Sequence, residues 1–275
     1  QYGDQVLRSG GREAYRLDRM KRICGDAAWI LIQHVRQGQI TDMYLEAGFG
    51  RNRTNAFPPI EIPLKGNTVR IEGKIDRVDV LPGDDGRSFV KIIDYKSGNE
   101  VFRPEEARAG YRLQLMLYLQ GAVNGVNAAE PAGVFYFHVG EPSVGADGLT
   151  GDELVDKVGE AVEKTFKMNG LMVDEPEVIR SVAGDFDKNS MVVPLSRKKD
   201  GTLSKTSESS VLSAADFQTF RQEVEETIQS LCQDLADGEI AAAPRKTKTV
   251  DACQYCEFRS ICWFDTAFEG CRARK

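Results

Sequence analysis

The stretch GKIDRVD at residues 73–79, followed after a turn by KIIDYKSG at 91–98, constrains the fold more than any other part of this chain. Both segments read as extended. The intervening LPGDDGR carries Pro-Gly and Asp-Gly signals of the kind that join neighbouring strands into a hairpin. Side chains alternate faces along a strand, so Asp94 and Lys96 point one way while Ile93 and Tyr95 point the other. A hairpin here would bring Asp76 and Asp94 together.

The rest of the chain supplies helices to cover such a sheet. Residues 12–37 repeat Met20, Ile23, Ala27, Ile30, Leu31 and Val35 at the spacing of an amphipathic helix, with Cys24 and His34 near the stripe. Cys24 reads as a buried structural residue and His34 as helix-face packing. Met43–Val80 reads as extended, interrupted by Phe57-Pro58-Pro59, with one strand over Thr68–Val80 and the next over Ser88–Tyr95. Arg103-Pro104-Glu105-Glu106 starts a helix, because proline is preset for the first turn and acids face the positive end of the helix dipole. That helix is expected to run to Ala122.

Gly133–Val139 predicts a strand and Asp152–Met168 a helix, and 191–205 predicts a hairpin turning at Asp200-Gly201. Ser213 caps a long helix closed by Gly238, with Cys232 as a small buried residue beside its apolar stripe. The order implies an α/β class, a mixed sheet flanked by helices, followed by a cysteine-rich tail.

With 275 residues, 41% hydrophobic and 28% charged, the chain has room for one large domain or a domain plus an appendage. We expect residues 1–240 to form the main domain and 241–275 the tail. The chain opens on Gln1 without a leader, which predicts a piece of a longer, cytoplasmic polypeptide. A net charge of −6 argues against a general nucleic-acid coat protein. Basic residues bunch at Arg197, Lys198 and Lys199 and again at Arg245, Lys246 and Lys248, where solvated loop charge and DNA contact are both open.

Two carboxylates beside a lysine suit hydrolysis of a phosphodiester. Hard carboxylate oxygens of Asp76 and Asp94 could hold Mg2+ or Mn2+, which activates water and stabilises the leaving oxygen. Lys96 could stabilise negative charge or orient the nucleophile. The rival is an ordinary ion pair on a solvated strand. Gln114 and Tyr118 follow on a helix, four apart and so on one face.

GKIDRVD, IIDYKSG and YRLQLMLYL together resemble the RecB-type branch of the PD-(D/E)XK (restriction-endonuclease-like) nucleases, and within it the C-terminal nuclease domains of AddB-type subunits. The resemblance implies catalytic roles for Asp76, Asp94 and Lys96, a motif glutamate at Glu46 in LEAGFG, and substrate contacts from Gln114 and Tyr118. It also implies a DNA substrate, single-stranded and produced by unwinding at DNA ends, and a partner subunit of the AddA helicase type. Two rivals remain: a catalytically silent DNA-binding scaffold of the same fold, and a standalone CRISPR-associated-type exonuclease.

Cys253, Cys256 and Cys262 form a compact group of soft thiolate ligands, which suits zinc or an iron–sulfur cluster. By resemblance, CQYCEFRSIC is the C-terminal part of an iron–sulfur staple holding a 4Fe-4S cluster, whose fourth cysteine comes from far upstream. Cys24, Cys271 and a cysteine outside the chain are the candidates.

Overall fold

The computed structural model describes residues 10–52, 56–145, 148, 150–204, 210–268, 271 and 273. Along the chain run α1 (Gly11–Gln37), β1 (Asp42–Phe49), β2 (Ile60–Leu64), β3 (Asn67–Ile71), β4 (Gly73–Pro82) and β5 (Ser88–Lys96). There follow α2 (Pro104–Arg108), α3 (Gln114–Gly125), β6 (Ala129–His138), α4 (Gly151–Thr165), β7 (Asn169–Val173), α5 (Pro176–Ala183), β8 (Val211–Leu212), α6 (Ala214–Ala236) and α7 (Arg259–Cys262).

The expected hairpin forms the middle of a six-stranded mixed sheet in the order β1-β4-β5-β6-β7-β8. β4 pairs antiparallel with β1 and β5, whereas β5 and β6 are parallel, joined by the crossover through α2 and α3. Burial follows the strand order. Val78, Ile92, Val134 and Met172 have no exposed surface, as two-sided coverage of a central sheet demands.

α3 buries Leu115, Met116, Leu119 and Ala122 against one face of the sheet, and α6 adds Phe217, Phe220, Val224 and Ile228 to the same core. α1 lies on the opposite face. Its His34 meets Phe137 edge-on at 6.0 Å, and Phe137 in turn meets Tyr95 at 5.7 Å. Below these aromatics Asp79, with no exposed surface, accepts from Arg77 at 2.7 and 3.0 Å and pairs with Lys91 at 2.7 Å. Burial would raise the Asp79 carboxyl, but the attraction of Lys91 and Arg77 outweighs it and holds the group below its ordinary range.

Four expectations change. The strand foreseen over Thr68–Val80 is two strands: β3 leaves the main sheet to pair with β2, and β4 begins afresh at Gly73. The helix foreseen from Arg103 to Ala122 breaks into α2 and α3, because Gly110 (φ 84°) and Arg112 (φ 50°) take left-handed conformations that a helix cannot contain. The stripe on α1 is narrower than its spacing suggests, with only Ala27, Ile30 and His34 buried and Met20 and Val35 exposed. Cys24 is exposed rather than buried.

Cys232 is half-buried against the core. The hairpin at 191–205 is a single-bridge turn, with Arg197 opposite Leu203 and Lys198 accepting from Gly201, and Lys205 lies outside the described residues. The segment from β7 to α5 was not foreseen. Among the described residues no helix is long and apolar enough to cross a membrane.

Burial, reinforced by the charges of Lys91, Arg77 and Lys167, lowers the pKa of His34 from 6.5 to about 4. The unfolded chain therefore binds the extra proton between those values, so stability should rise with pH through that window and fall in acid. The shift corresponds to about 3 kcal/mol. Urea midpoints measured from pH 7 to 4 should fall, and in His34→Leu the slope over this range should flatten.

Candidate active site

The register of the sheet assembles the acids. Arg77 stands opposite Ile93 and Val78 opposite Ile92, so the next step sets Asp76 opposite Asp94. On the other side of β4, Leu45 faces Arg77 and Ala47 faces Ile75, so Glu46 falls opposite Asp76. The parallel pairing of β5 with β6 adds Tyr136 beside Asp94 and His138 beside Lys96. Glu46, Asp76 and Asp94 thus occupy one row across three strands, with neighbouring strands about 4.8 Å apart.

The backbone ladder is interrupted along this row. Asp76 Oδ2 accepts the Tyr95 N–H at 2.9 Å, a bond made by side chain in place of a strand carbonyl. The other Asp76 oxygen has no hydrogen-bond partner among the described residues. Glu46 has φ 50°, a left-handed conformation rare for a non-glycine residue. Strained backbone of this kind concentrates where a site over-determines geometry. The Glu46 carboxylate is turned outward to Lys74 Nζ at 2.6 Å.

Asp94 is 1% exposed and pairs with Lys96 Nζ at 2.5 Å. Burial pushes its carboxyl above the ordinary range; Lys96 opposes this, and Asp76 and Glu100 add to it. Burial alone would lower Lys96, but the hydrogen bond and charge of Asp94 outweigh it and raise the ammonium. Lys96 also donates to Gln114 Oε1 at 3.1 Å, and Gln114 Nε2 donates to the Tyr118 hydroxyl at 2.7 Å. The four-residue spacing of Gln114 and Tyr118 therefore acts through Lys96, with the Tyr118 ring edge-on to Phe49 at 6.1 Å.

The structure joins Asp76, Asp94, Lys96, Gln114 and Tyr118 into one site and brings Glu46 into the same row, facing away. Tyr136 and Glu100 were missed. Only the parallel partner of β5 reveals Tyr136, and nothing local in the sequence shows which strand that is.

Cys253, Cys256 and Cys262 line one open cavity together with Lys246, Asp251 and Trp263. Burial, Asp251 and the two neighbouring thiols push the Cys253 thiol up. Cys24, exposed on α1, and Cys271 do not line that cavity. Among the described residues no three His, Cys, Asp or Glu side chains converge closely enough to hold a metal ion. The basic clusters are partly occupied within the protein: Arg197 lies over Phe186, Arg245 donates to the Ala109 carbonyl at 2.8 Å, and Lys246 pairs with Asp251.

A sequence model of the PD-(D/E)XK nuclease superfamily matches residues 3–263, nearly the whole chain. The chain belongs to the PD-(D/E)XK nuclease superfamily. Relatives of this PD-(D/E)XK chain are named as one subunit of an ATP-dependent helicase/deoxyribonuclease. That of Clostridium kluyveri is 34% identical over 278 residues, covering 98% of this chain and 24% of the relative. That of Caldanaerobacter subterraneus is 34% identical over 270 residues, covering 96% and 23%, and that of Acetivibrio thermocellus is 32% identical over 257 residues, covering 91% and 22%. The chain spans about a quarter of the length of these curated relatives.

Removing the ammonium beside Asp94 leaves burial unopposed. In Lys96→Met the Asp94 carboxyl should titrate at higher pH than in the unmodified chain, followed by carboxyl 13C NMR. An unmoved titration would show that the pair is not formed.

Proposed function

We propose that this chain is the nuclease module of a helicase–nuclease subunit and hydrolyses phosphodiester bonds of single-stranded DNA with a divalent metal, Mg2+ or Mn2+. The row formed by Glu46, Asp76 and Asp94 beside Lys96 carries this reading. Hard carboxylate oxygens are the donors that suit such cations, and Asp76 keeps one oxygen without a hydrogen-bond partner among the described residues. Asp76 and Asp94 would hold the metal, with Glu46 joining once it releases Lys74. When bound, the metal supplies an activated water and charge stabilisation at the leaving oxygen.

The protein's own groups prepare the rest. The raised Lys96 ammonium stays protonated at neutral pH and lies where it can stabilise a phosphate oxygen or orient the nucleophile. Gln114 fixes Lys96 from the side of α3, and Tyr118 fixes Gln114. Both side chains are also available to the strand being cut.

The printed names of the relatives, which join an ATP-dependent helicase to a deoxyribonuclease, support DNA as the substrate and a helicase as the partner activity; DNA ends, a partner subunit of the AddA type and a place in the cytoplasm complete the reading. We assign residues 1–240 to the nuclease domain and 241–275 to a cysteine-rich tail. Soft thiolates sharing one cavity support Cys253, Cys256 and Cys262 as ligands of a structural 4Fe-4S cluster. The fourth ligand would come from Cys24 or from the longer polypeptide.

Asp94→Ala should abolish magnesium-dependent cleavage of single-stranded DNA while circular dichroism and iron content stay unchanged. Retained cleavage would overturn the assignment. Anaerobically purified protein should be brown, with a broad visible band, whereas zinc without iron by elemental analysis would refute the cluster.

A further inference from the structure

Tyr136 brings an aromatic ring from β6 to the lysine of the site. In the parallel register it stands beside Asp94, and Lys96 lies two residues further along β5, so all three side chains share one face of the sheet. Tyr136 is only 3% exposed, and Lys96 Nζ lies over its ring, 5.6 Å from the centre. An ammonium within about 6 Å of an aromatic centre is attracted by the negative face of the ring, and the attraction grows as water is excluded.

The ring is itself fixed. β6 runs between β5 and β7, and Tyr136 pairs with Asn169 of β7. The Asn169 side chain accepts the Phe102 N–H at 2.8 Å, and the Phe102 ring meets Tyr136 edge-on at 6.4 Å and Phe220 of α6 at 6.3 Å. Lys96 ends β5 and Phe102 precedes α2, so the segment joining these elements packs on one tyrosine ring at both ends.

Oxygens also hold Lys96, but each has a second task. Asp94 pairs with it at 2.5 Å and Gln114 accepts from it at 3.1 Å. Gln114 follows the turn before α3, where the Tyr111 hydroxyl donates to the Arg245 carbonyl at 2.5 Å and Arg245 Nη1 to the Ala109 carbonyl at 2.8 Å. In the reading above Asp94 would hold the metal and Gln114 is available to the strand being cut. The buried face of Tyr136 offers a hard cation no carboxylate oxygen. It therefore keeps hold of the ammonium, a point charge on a flexible four-carbon stem that needs such a backing.

We propose that Tyr136 is a positioning residue of the active centre: the face of its buried ring holds the Lys96 ammonium in place while Asp94 and Gln114 engage metal and DNA. The proposal rests on the nuclease reading above and adds to it a residue from the strand beside the acids.

The test uses the full chain. Cleavage of a labelled single-stranded oligonucleotide in Mg2+ gives kcat and KM, and NMR of the metal-free protein follows the Lys96 ε-methylene protons, which the ring current of Tyr136 displaces. Tyr136→Phe keeps the aromatic face and should retain kcat within about twofold, with the displaced signal preserved. Tyr136→Leu removes the face and should lower kcat about 10-fold with KM unchanged, and the displacement should vanish. Tyr136→trifluorophenylalanine keeps the shape of the Phe variant but withdraws charge from the face, and should lower kcat about as far as Tyr136→Leu. A packing role predicts full activity in the fluorinated variant, and a role of the hydroxyl predicts the loss already in Tyr136→Phe; either overturns the proposal. Should Tyr136→Leu fail to fold, the Phe and fluorinated variants, matched in shape, carry the test. An unmodified chain without metal-dependent cleavage removes the nuclease reading and this proposal with it, whereas active unmodified protein with unaffected variants removes only the proposal.

Discussion

The antiparallel register of β4 with β5 is the constraint on which the rest of the structure depends. It determines at once which side chains face α3 and which face α1. On the α3 side it aligns Asp76 with Asp94, and on the α1 side it aligns Asp79 with Lys91. A slip of one residue would exchange the two faces, putting the acids into the aromatic core and the buried ion cluster into the cleft. The cluster itself resists this, because separating one partner of a buried pair costs about 3–5 kcal/mol. Asp79 thus secures the register that places Asp76, although the two side chains point in opposite directions.

The site is built on that register but completed by irregular backbone. Glu46 and Arg112 both take left-handed conformations, one in the row of acids and one in the turn that delivers α3. The turn matters because Gln114 is the first residue of α3, so the break between α2 and α3 sets where Gln114 meets Lys96. A continuous helix from Arg103 would carry Gln114 along a different axis. The tail holds this turn from outside, which makes a segment rich in cysteines part of the support of a carboxylate site.

Much of the site was legible because its parts obey short-range rules. Alternation along a strand determines that Asp94 and Lys96 share a face, and a four-residue helical spacing determines the same for Gln114 and Tyr118. The Asp-Gly hairpin signal is local as well. The misreadings have an equally physical origin. Thr68–Val80 alternates well enough to read as one strand, yet β3 and β4 part at Glu72 because they pair with different strands. Arg103–Ala122 has helix-forming residues on both sides of Gly110, and only the docking of Arg245 and Tyr111 shows that the chain must reverse there. Cys24 lies mid-helix beside apolar neighbours, but burial depends on which side of α1 meets the sheet.

By itself the sequence determined the α/β class, the acid and lysine pair, the helix that follows it and the three clustered cysteines, because each is written within a single element or across one turn. The tertiary structure alone decided that Glu46 stands in line with Asp76, that Tyr136 lies beside Asp94, and that Glu106 bonds Thr249 across 143 residues of sequence. Those relations arise between strands and segments distant in the chain. Pairing order, buried charge and chain reversal establish them, and none of the three has a local signature.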